Sequence, residues 1–113
     1  MAVLEQTVEG ADQPKQIELT GAELALGRAE TCEVSLSDKA VSRRHAVLRR
    51  VGDAWVLVDN NSANGTYVNG RKITEHRLAH GDQIRLGATN FTFSDPAAEA
   101  DEATRFVHAQ DLL

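Results

Sequence analysis

Short apolar runs separated by turn residues are the feature of this sequence that most limits its possible folds. From Val3 to Phe93 the apolar residues occur in short runs or alternate with polar residues, and glycine, asparagine or aspartate interrupts them every eight to twelve positions. This pattern is typical of β-strands, because successive side chains of a strand point to opposite faces of a sheet. No stretch before Phe93 keeps the period of an amphipathic helix. The sequence therefore predicts an all-β domain.

Nine segments carry the strand pattern: Val3–Val8, Gln16–Leu19, Glu23–Leu26, Glu33–Leu36, His45–Val51, Ala54–Asp59, Thr66–Val68, Gln83–Leu86 and Asn90–Phe93. The dipeptide Asn-Gly, which is favoured in tight turns, occurs at Asn64-Gly65 and again at Asn69-Gly70. We therefore expect the chain to reverse, form one short strand and reverse again. Many short antiparallel strands at this spacing indicate a β-sandwich.

Residues 95–113 have a different pattern. Asp95 suits a helix N-cap, Pro96 suits the first helical position, and apolar residues from Ala103 onward recur at helical spacing. The early half of this segment is acidic and rich in alanine, so it has little to bury. We expect residues 1–94 to form one domain and residues 95–113 to form a flexible or weakly helical acidic tail.

Size and cysteine content restrict the class of protein. A length of 113 residues leaves room for one hydrophobic core. The single cysteine, Cys32, excludes an internal disulfide. The first residues lack the basic and apolar regions of a signal peptide, and no apolar stretch approaches the roughly 20 residues of a membrane-spanning helix. We expect a cytoplasmic protein that does not enter a membrane.

Charge is unevenly distributed along the chain, whose formal net charge is −5. Residues 28–85 contain ten bases and seven acids, whereas residues 1–27 and residues 95–113 each contain five acids and one base. A positive middle segment between acidic flanks indicates that the middle segment binds an anion. Composition alone leaves open whether the acidic tail lies against that segment or is repelled by what it holds.

Three short stretches with anion-binding chemistry lie where predicted strands meet loops. They are Gly27-Arg28, the basic run from Ser42 to Arg44, and residues 62–66. Loops at one end of a sandwich converge on a rigid scaffold, which is where binding residues are commonly placed. Two guanidinium groups beside a serine hydroxyl form a donor-rich pocket, and phosphate is its natural ligand because its oxygens accept charge-assisted hydrogen bonds.

These stretches also carry a family resemblance. The motifs GR, SRRHA, SANGTYVNG, HGDQIRLG and TNFTF follow one another between Val3 and Phe93. In their order and spacing they closely resemble the forkhead-associated (FHA) domain family. The resemblance implies an antiparallel β-sandwich of about eleven short strands, of the FHA/SMAD-like type, that binds phosphothreonine peptides without a cofactor.

The resemblance implies a role for each matching residue. Those that match phosphopeptide-binding positions of the family are Arg28, Ser42 and Arg43 at the phosphate and Asn64 at the peptide backbone. An asparagine amide suits the last role because it donates and accepts hydrogen bonds at once. Residues that match the loop-shaping positions of the family are Gly27, His45, Gly65 and Thr66.

One position departs from the family pattern. Many FHA domains have serine or threonine just before the asparagine, whereas this chain has Ala63, which cannot donate to a phosphate. A hydrogen bond to a charged acceptor is worth about 1.5 to 3 kcal/mol, so we expect an affinity about tenfold or more below that of a serine-containing site. Lys39, in the loop before Ser42, is expected to compensate through its charge.

Catalysis and metal binding are two alternatives that the residue types raise. Ser42 and His45 raise the alternative of a nucleophile with its base. Side chains three apart in a strand point to opposite faces, and no nucleophile elbow is present, so we expect no catalytic site and interpret His45 as a hydrogen-bonded brace. His76 and His80 have a helical metal-ligand spacing, but turn residues around Gly81 argue against a helix and therefore against a metal site.

Composition also bears on other classes of partner. Nucleic acid is disfavoured by the negative net charge and by the scarcity of aromatic residues for base stacking. A protein scaffold that uses the same fold without phosphate remains the alternative, chiefly because of Ala63. Arg49 and Arg50, adjacent in a strand, are interpreted as solvated surface, and Trp55 is interpreted as core.

The sequence thus predicts a phosphothreonine-dependent adaptor module, not an enzyme, that takes part in Ser/Thr kinase signalling. The expected partners are threonine-phosphorylated proteins, including a Ser/Thr kinase or its substrates. Acidic residues precede Thr104 in the tail. The resemblance implies that a flanking threonine is phosphorylated, and we expect phosphorylated Thr104 to dock into the Arg28 pocket and close it. Thr7 is a weaker candidate because it lies in a predicted strand.

Overall fold

The computed structural model describes residues 2–7 and 15–95, which form a two-sheet sandwich. In chain order its strands are β1 (Val3–Gln6), β2 (Lys15–Glu18), β3 (Glu23–Gly27), β4 (Val34–Ser35), β5 (Ala46–Val51), β6 (Ala54–Asp59), β7 (Thr66–Val68), β8 (Arg71–Ile73), β9 (Glu75–Arg77), β10 (Gln83–Leu86) and β11 (Thr89–Ser94). The first sheet has the order β2-β1-β11-β10-β7-β8 and the second has the order β4-β3-β5-β6-β9. The all-β sandwich of eleven strands confirms the predicted fold class.

The core lies between the two sheets and follows the alternation of apolar residues. The largest fully buried aliphatic and aromatic side chains of the first sheet are Leu4, Ile84, Leu86, Phe91 and Phe93, and those of the second are Leu26, Leu48 and Leu57. Trp55 is 4% exposed, which confirms that it belongs to the core. Removal of this apolar surface from water holds the sheets together, and the loops at their ends are thereby fixed.

Two of the described strands were not predicted from the sequence. Neither β8 nor β9 appears among the nine predicted segments, because each has three residues, most of them charged or exposed. A strand of this length offers too few alternations to be distinguished from a loop. The predicted bounds of β6, β7 and β10 agree with the structure, whereas those of the other segments differ by one or two residues at an end, and Thr7 lies just after β1. The β3–β4 pair is parallel, an exception among otherwise antiparallel pairs of the described strands.

The two Asn-Gly dipeptides have different roles. Asn69 and Gly70 have φ values of 52° and 83° and join β7 to β8, with Val68 paired to Arg71. Two residues of positive φ in a two-residue loop are the signature of a type I′ hairpin, so this prediction is confirmed. The loop at Asn64-Gly65 is no hairpin, because it carries the chain from β6 in one sheet to β7 in the other. At Asn64-Gly65 the Asn-Gly dipeptide therefore lies in a loop that connects the two sheets.

Several other expectations concern the surface and the chain ends. Both Arg49 and Arg50 are exposed, and Arg49 contacts Glu23 of the neighbouring strand at 3.4 Å, as expected for solvated surface. No described segment forms a helix with the length and apolar character needed to cross a membrane. The predicted tail helix and Thr104 lie outside the described residues, and the domain boundary after residue 94 stays a prediction.

Candidate functional site

Three loops meet at one end of the sandwich. They are residues 28–33 after β3, residues 36–45 between β4 and β5, and residues 60–65 between β6 and β7. The middle loop contacts both of the others. It holds the first through the Arg28 backbone N–H, which donates to the Ser42 carbonyl at 3.0 Å. It holds the third through the Ala63 N–H, which donates to the Ser42 hydroxyl at 3.0 Å. Ser42 is therefore the centre of the cluster.

Arg28 is held by its own side chain as well as by its backbone. Its Nε donates to the Val41 carbonyl at 3.0 Å, although the residue as a whole is exposed. This bond uses one of the five guanidinium donors and fixes the plane of the group. The four donors on the two terminal nitrogens therefore face solvent in a defined direction, which suits bidentate recognition of an oxyanion.

The Ser42 hydroxyl can donate a hydrogen bond to a ligand. Its oxygen accepts from Ala63, and the hydroxyl hydrogen has no acceptor among the described residues. The exposed Ala63 thus contacts Ser42 through its backbone, and its methyl group contributes no polar contact. A half-buried hydroxyl that accepts from an amide and has a free hydrogen can donate to an anion.

His45 braces the two loops from beneath. It is fully buried, its Nδ1 accepts the Ser42 N–H at 3.0 Å, and its Nε2 lies 2.8 Å from the Gly65 carbonyl oxygen. Because an amide donates to Nδ1, the proton of the neutral ring is on Nε2 and is donated to Gly65. Both nitrogens are therefore occupied by backbone groups. The Ser42 hydroxyl makes no hydrogen bond to the ring, so the pair does not form the nucleophile and base of a hydrolase.

Gly27 and Arg43 permit the close approach of the first two loops. A Cβ at position 27 would lie 2.1 Å from the Arg43 carbonyl oxygen, so only glycine fits. The same carbonyl accepts the Ala29 N–H at 3.0 Å and the Cys32 thiol at 3.3 Å. With its backbone fixed in this way, Arg43 presents its side chain to solvent beside Ser42.

Asn64 and Lys39 lie on facing loops at the rim. The Asn64 amide nitrogen donates to the Ala40 carbonyl at 2.8 Å, which leaves its second N–H and its oxygen exposed to a ligand. Lys39 is exposed in the same loop as Ala40 and has no carboxylate within 4.0 Å among the described residues. Asn60 donates to the Arg44 carbonyl at 3.0 Å, so its amide nitrogen supports the loops.

Asp59 organises the third loop and was not identified from the sequence. Its carboxylate accepts the Ser62 hydroxyl at 2.5 Å, the Ser62 N–H at 3.2 Å and the Thr66 hydroxyl at 2.6 Å. Burial is the largest single influence on its pKa and raises it, but the bonds from Ser62 and Thr66 outweigh burial and hold the pKa below 3.8. Thr66 is fully buried, and Gly65 has a φ of 85°.

Asp38 performs a similar task in the middle loop and was also missed. It accepts the Ala40 N–H at 2.9 Å, and it also accepts the Ala88 N–H from the turn before β11 and the Thr89 hydroxyl from the start of β11, each at 2.8 Å. Bonds from Ala40, Thr89 and Ala88 keep the Asp38 pKa below its ordinary value. An aspartate in a loop that accepts the amide two residues on forms an Asx turn, and loop aspartates of this kind were the available signal.

The arrangement brings together most of the residues that the sequence singled out. Hydrogen bonds or steric contact join Gly27, Arg28, Ser42, Arg43, His45, Ala63 and Gly65 in one cluster, with Asn64 on its rim and Thr66 attached through Asp59. No cluster of three or more metal-ligating side chains occurs within residues 2–7 and 15–95. The exposed groups of the cluster are chiefly hydrogen-bond donors of positive or neutral charge, which suits a bound anion.

Sequence comparisons extend these observations. The family model for the FHA domain matches residues 24–87. The oxoglutarate dehydrogenase inhibitor of Corynebacterium jeikeium is 42% identical over 76 residues, a match that covers 67% of this chain and 53% of that protein. The glycogen accumulation regulator GarA of Mycolicibacterium smegmatis is 40% identical over 67 residues, which are 59% of this chain and 42% of that protein. The chain thus spans about half the length of these relatives.

A solved structure shows the same architecture. It comes from a structural and functional analysis of phosphothreonine-dependent FHA domain interactions and is 35% identical to this chain. The superposition has a TM-score of 0.74 and covers 83% of this chain and 95% of the other. The likeness therefore extends over most of this chain.

Proposed function

The chain belongs to the FHA domain family, and from this premise we propose that it is a binding module, not an enzyme, for threonine-phosphorylated segments of other proteins. One observation supports this most directly. The Arg28 guanidinium is fixed through its Nε, and the Ser42 hydroxyl is fixed through its oxygen. Both groups have hydrogen-bond donors without a partner among the described residues, and they lie on loops joined by the bond from the Arg28 N–H to the Ser42 carbonyl. Such a pair is matched by the oxygens of a phosphate ester.

Charge makes the recognition depend on phosphorylation. A phosphothreonine carries about −1.5 to −2 charges at neutral pH and offers three strong acceptor oxygens. The terminal nitrogens of Arg28 take two of these oxygens, Ser42 donates to another, and Arg43 and Lys39 add positive charge at the rim. Unphosphorylated threonine supplies neither the charge nor the acceptors.

Asn64 supplies the contact to the peptide backbone. Its bond to Ala40 holds the amide plane, while the remaining N–H and the oxygen satisfy the carbonyl and N–H of the residue beside the phosphothreonine. Backbone contacts of this kind do not depend on the side chain bound, so they add affinity for many sequences. Lys39 compensates through its charge for the hydroxyl that Ala63 lacks.

The partners that fit this site are Ser/Thr protein kinases or the proteins they phosphorylate. Relatives of the chain are named as an inhibitor and as a regulator of metabolic processes, and a solved FHA domain was studied for phosphothreonine-dependent interactions. A module that binds such segments brings a phosphorylated partner to whatever it is attached to. We place this activity in the cytoplasm, where a free and buried Cys32 stays reduced.

Phosphorylated Thr104 is a second ligand that we propose for the same site. The residue lies in the acidic tail, outside the described residues, with Asp101 and Glu102 just before it. Once phosphorylated, it docks into the Arg28 site of its own chain or of a neighbour and excludes other partners. Titration of an external phosphopeptide before and after stoichiometric phosphorylation tests this, and undiminished affinity would rule the closure out.

The Arg28→Ala variant tests the proposed function. In a screen of degenerate phosphothreonine peptides, the affinity of this variant should be at least about tenfold lower than that of wild type, since a hydrogen bond to a charged group is worth about 1.5 to 3 kcal/mol. Arg49→Ala is the matched control, because Arg49 carries the same charge on the outer face of the second sheet. If Arg28→Ala binds its partner as wild type does, the chain is a scaffold that binds without phosphate.

A further inference from the structure

A second cationic surface lies on the outer face of the first sheet. On β7, Thr66 and Val68 are buried, so Tyr67 between them points outward. Its cross-strand partners are Lys72 on β8 and Arg85 on β10. The outward side chains of these three residues therefore form a row across neighbouring strands, which we name the Lys72–Tyr67–Arg85 row.

The row is continuous with the candidate phosphopeptide site. A Cβ placed on Gly65 would lie 3.0 Å from Lys72 Cε and 3.3 Å from Tyr67 Cε1. The Lys72 stem thus runs over the backbone of Gly65, and Gly65 follows Asn64 directly. A peptide whose backbone is held by Asn64 therefore meets Lys72 within the next few residues.

Arg85 is fixed at the far end of the row. Its guanidinium carbon lies 4.7 Å from the centre of the Tyr67 ring, which is a cation–π contact. Beside it is a groove of about 300 Å³ lined by Tyr67, Gly70, Gln83, Ile84, Arg85 and Asn90. An arginine stacked in this way loses less freedom when it binds an anion, because its plane is already set.

The two cations of the row lack acidic neighbours. Within residues 2–7 and 15–95, no carboxylate lies within 4.0 Å of the charged nitrogens of Lys72 or Arg85, whereas Arg49 on the other sheet contacts Glu23. Two exposed cations without acidic partners in the described part of the chain, on either side of Tyr67 in a protein of net charge −5, form a surface for negative charge.

We propose that Lys72 and Arg85 bind acidic side chains of the same phosphorylated segment that occupies the Arg28 site. The partner is then an acid-rich phosphothreonine peptide in an extended conformation. This inference rests on the proposed function. Strands lie about 4.8 Å apart, so the Cα atoms of Lys72 and Arg85 are separated by two strand spacings, or about 10 Å. Successive side chains on one face of an extended chain are two positions and about 7 Å apart, a spacing that the long side chains of Lys72 and Arg85 can span, so the two acids lie two positions apart.

Paired peptides test the inference. One series carries phosphothreonine and two glutamates two positions apart, moved stepwise along both sides of the phosphothreonine, and the other has glutamine at the same positions. We expect one placement to bind wild type about three- to tenfold more tightly than its glutamine match, the range that two partly exposed ion pairs give. The double variant Lys72→Gln/Arg85→Gln should lose this preference and keep its affinity for the glutamine peptide.

The double variant Arg49→Gln/Arg77→Gln is the control, because it removes two positive charges from the second sheet, away from the row. It should retain the preference for glutamate. Equal binding of both peptide series by wild type would overturn the inference, as would a preference that survives in Lys72→Gln/Arg85→Gln or disappears equally in the control. These results leave binding that depends on Arg28 intact. Failure of every phosphopeptide to bind wild type would instead overturn the proposed function itself.

Discussion

The carbonyl oxygen of Arg43 occupies the space where a side chain of Gly27 would begin. A Cβ at position 27 would lie 2.1 Å from that oxygen and 2.7 Å from its carbon, and both are backbone atoms that cannot rotate away. Gly27 is the last residue of β3, so its close contact sets how the first loop meets the second. The positions of Arg28 and Arg43 both depend on this contact.

Gly27→Ala should therefore destabilise the domain and weaken phosphopeptide binding together. Forcing a methyl group against fixed backbone costs about 1 to 3 kcal/mol in a well-packed site. Gly21→Ala is the control: its Cβ meets nothing within 4 Å, although its φ is 77°. That change should cost about 1 kcal/mol through backbone strain and leave affinity unchanged. Urea denaturation and peptide titration measure both effects, and full affinity in Gly27→Ala would contradict the account.

His45 carries the second prediction. Its replacement by alanine leaves the Ser42 N–H and the Gly65 carbonyl without partners in a buried place, which should cost about 2 to 4 kcal/mol. His76, which is 36% exposed and contacts Asp82, is the control, and His76→Ala should cost less than about 1 kcal/mol. Chemical denaturation at neutral pH separates the two. Equal losses would show that His45 is not a brace between the loops.

Ala63 provides a gain-of-function test. The residue is exposed and its N–H already bonds to Ser42, so a hydroxyl at this position adds a donor at the site without disturbing the loop. Ala63→Ser should raise phosphopeptide affinity about three- to tenfold, somewhat below the full value of a hydrogen bond to a charged acceptor because the site is open to water. Calorimetric titration measures the change. No gain, with the fold unchanged, would place the phosphate away from position 63.

Asp59 predicts how stability depends on pH. Its folded pKa lies below the ordinary 3.8, so the unfolded chain binds more protons and stability falls as pH drops below about 4. Asp59→Asn lacks this carboxylate and should be less stable than wild type at pH 7. The difference should narrow as the pH falls from 4 through the folded pKa of Asp59. Urea denaturation from pH 7 to pH 2.5 measures it, and a constant difference would show that the charge of Asp59 is unimportant.

The long alternating strands could be predicted from the sequence, because alternation directly reports one buried and one exposed face. The bounds of β6 and β10 agree with the prediction residue by residue, and those of the shorter β7 also agree because an Asn-Gly dipeptide lies on each side of it. Short charged strands could not be predicted in this way. β8 and β9 are defined by pairing with β7 and β6, and that pairing is invisible in a three-residue pattern.

The exposed residues of the candidate site could be predicted from the sequence more readily than the residues that hold its loops from inside. Charged or polar residues where strands meet loops suggest a ligand, and this signal identified Arg28, Ser42 and Asn64. Asp59 and Asp38 satisfy backbone and hydroxyl donors inside loops, and such partners are known only once the loops are placed. The same holds for Gly27, since its need for glycine comes from Arg43, sixteen positions away.

A pair of peptides that differ only in the phosphate tests the central claim most directly. Titrations of the full chain with a phosphothreonine peptide and with the same peptide bearing plain threonine should differ by at least about 100-fold, since several charge-assisted hydrogen bonds of about 1.5 to 3 kcal/mol each are lost. The affinity for the phosphorylated peptide should also fall below about pH 6, where the second negative charge of the phosphate is neutralised. Equal affinity for the two peptides would contradict the claim that the loops around Ser42 recognise phosphate.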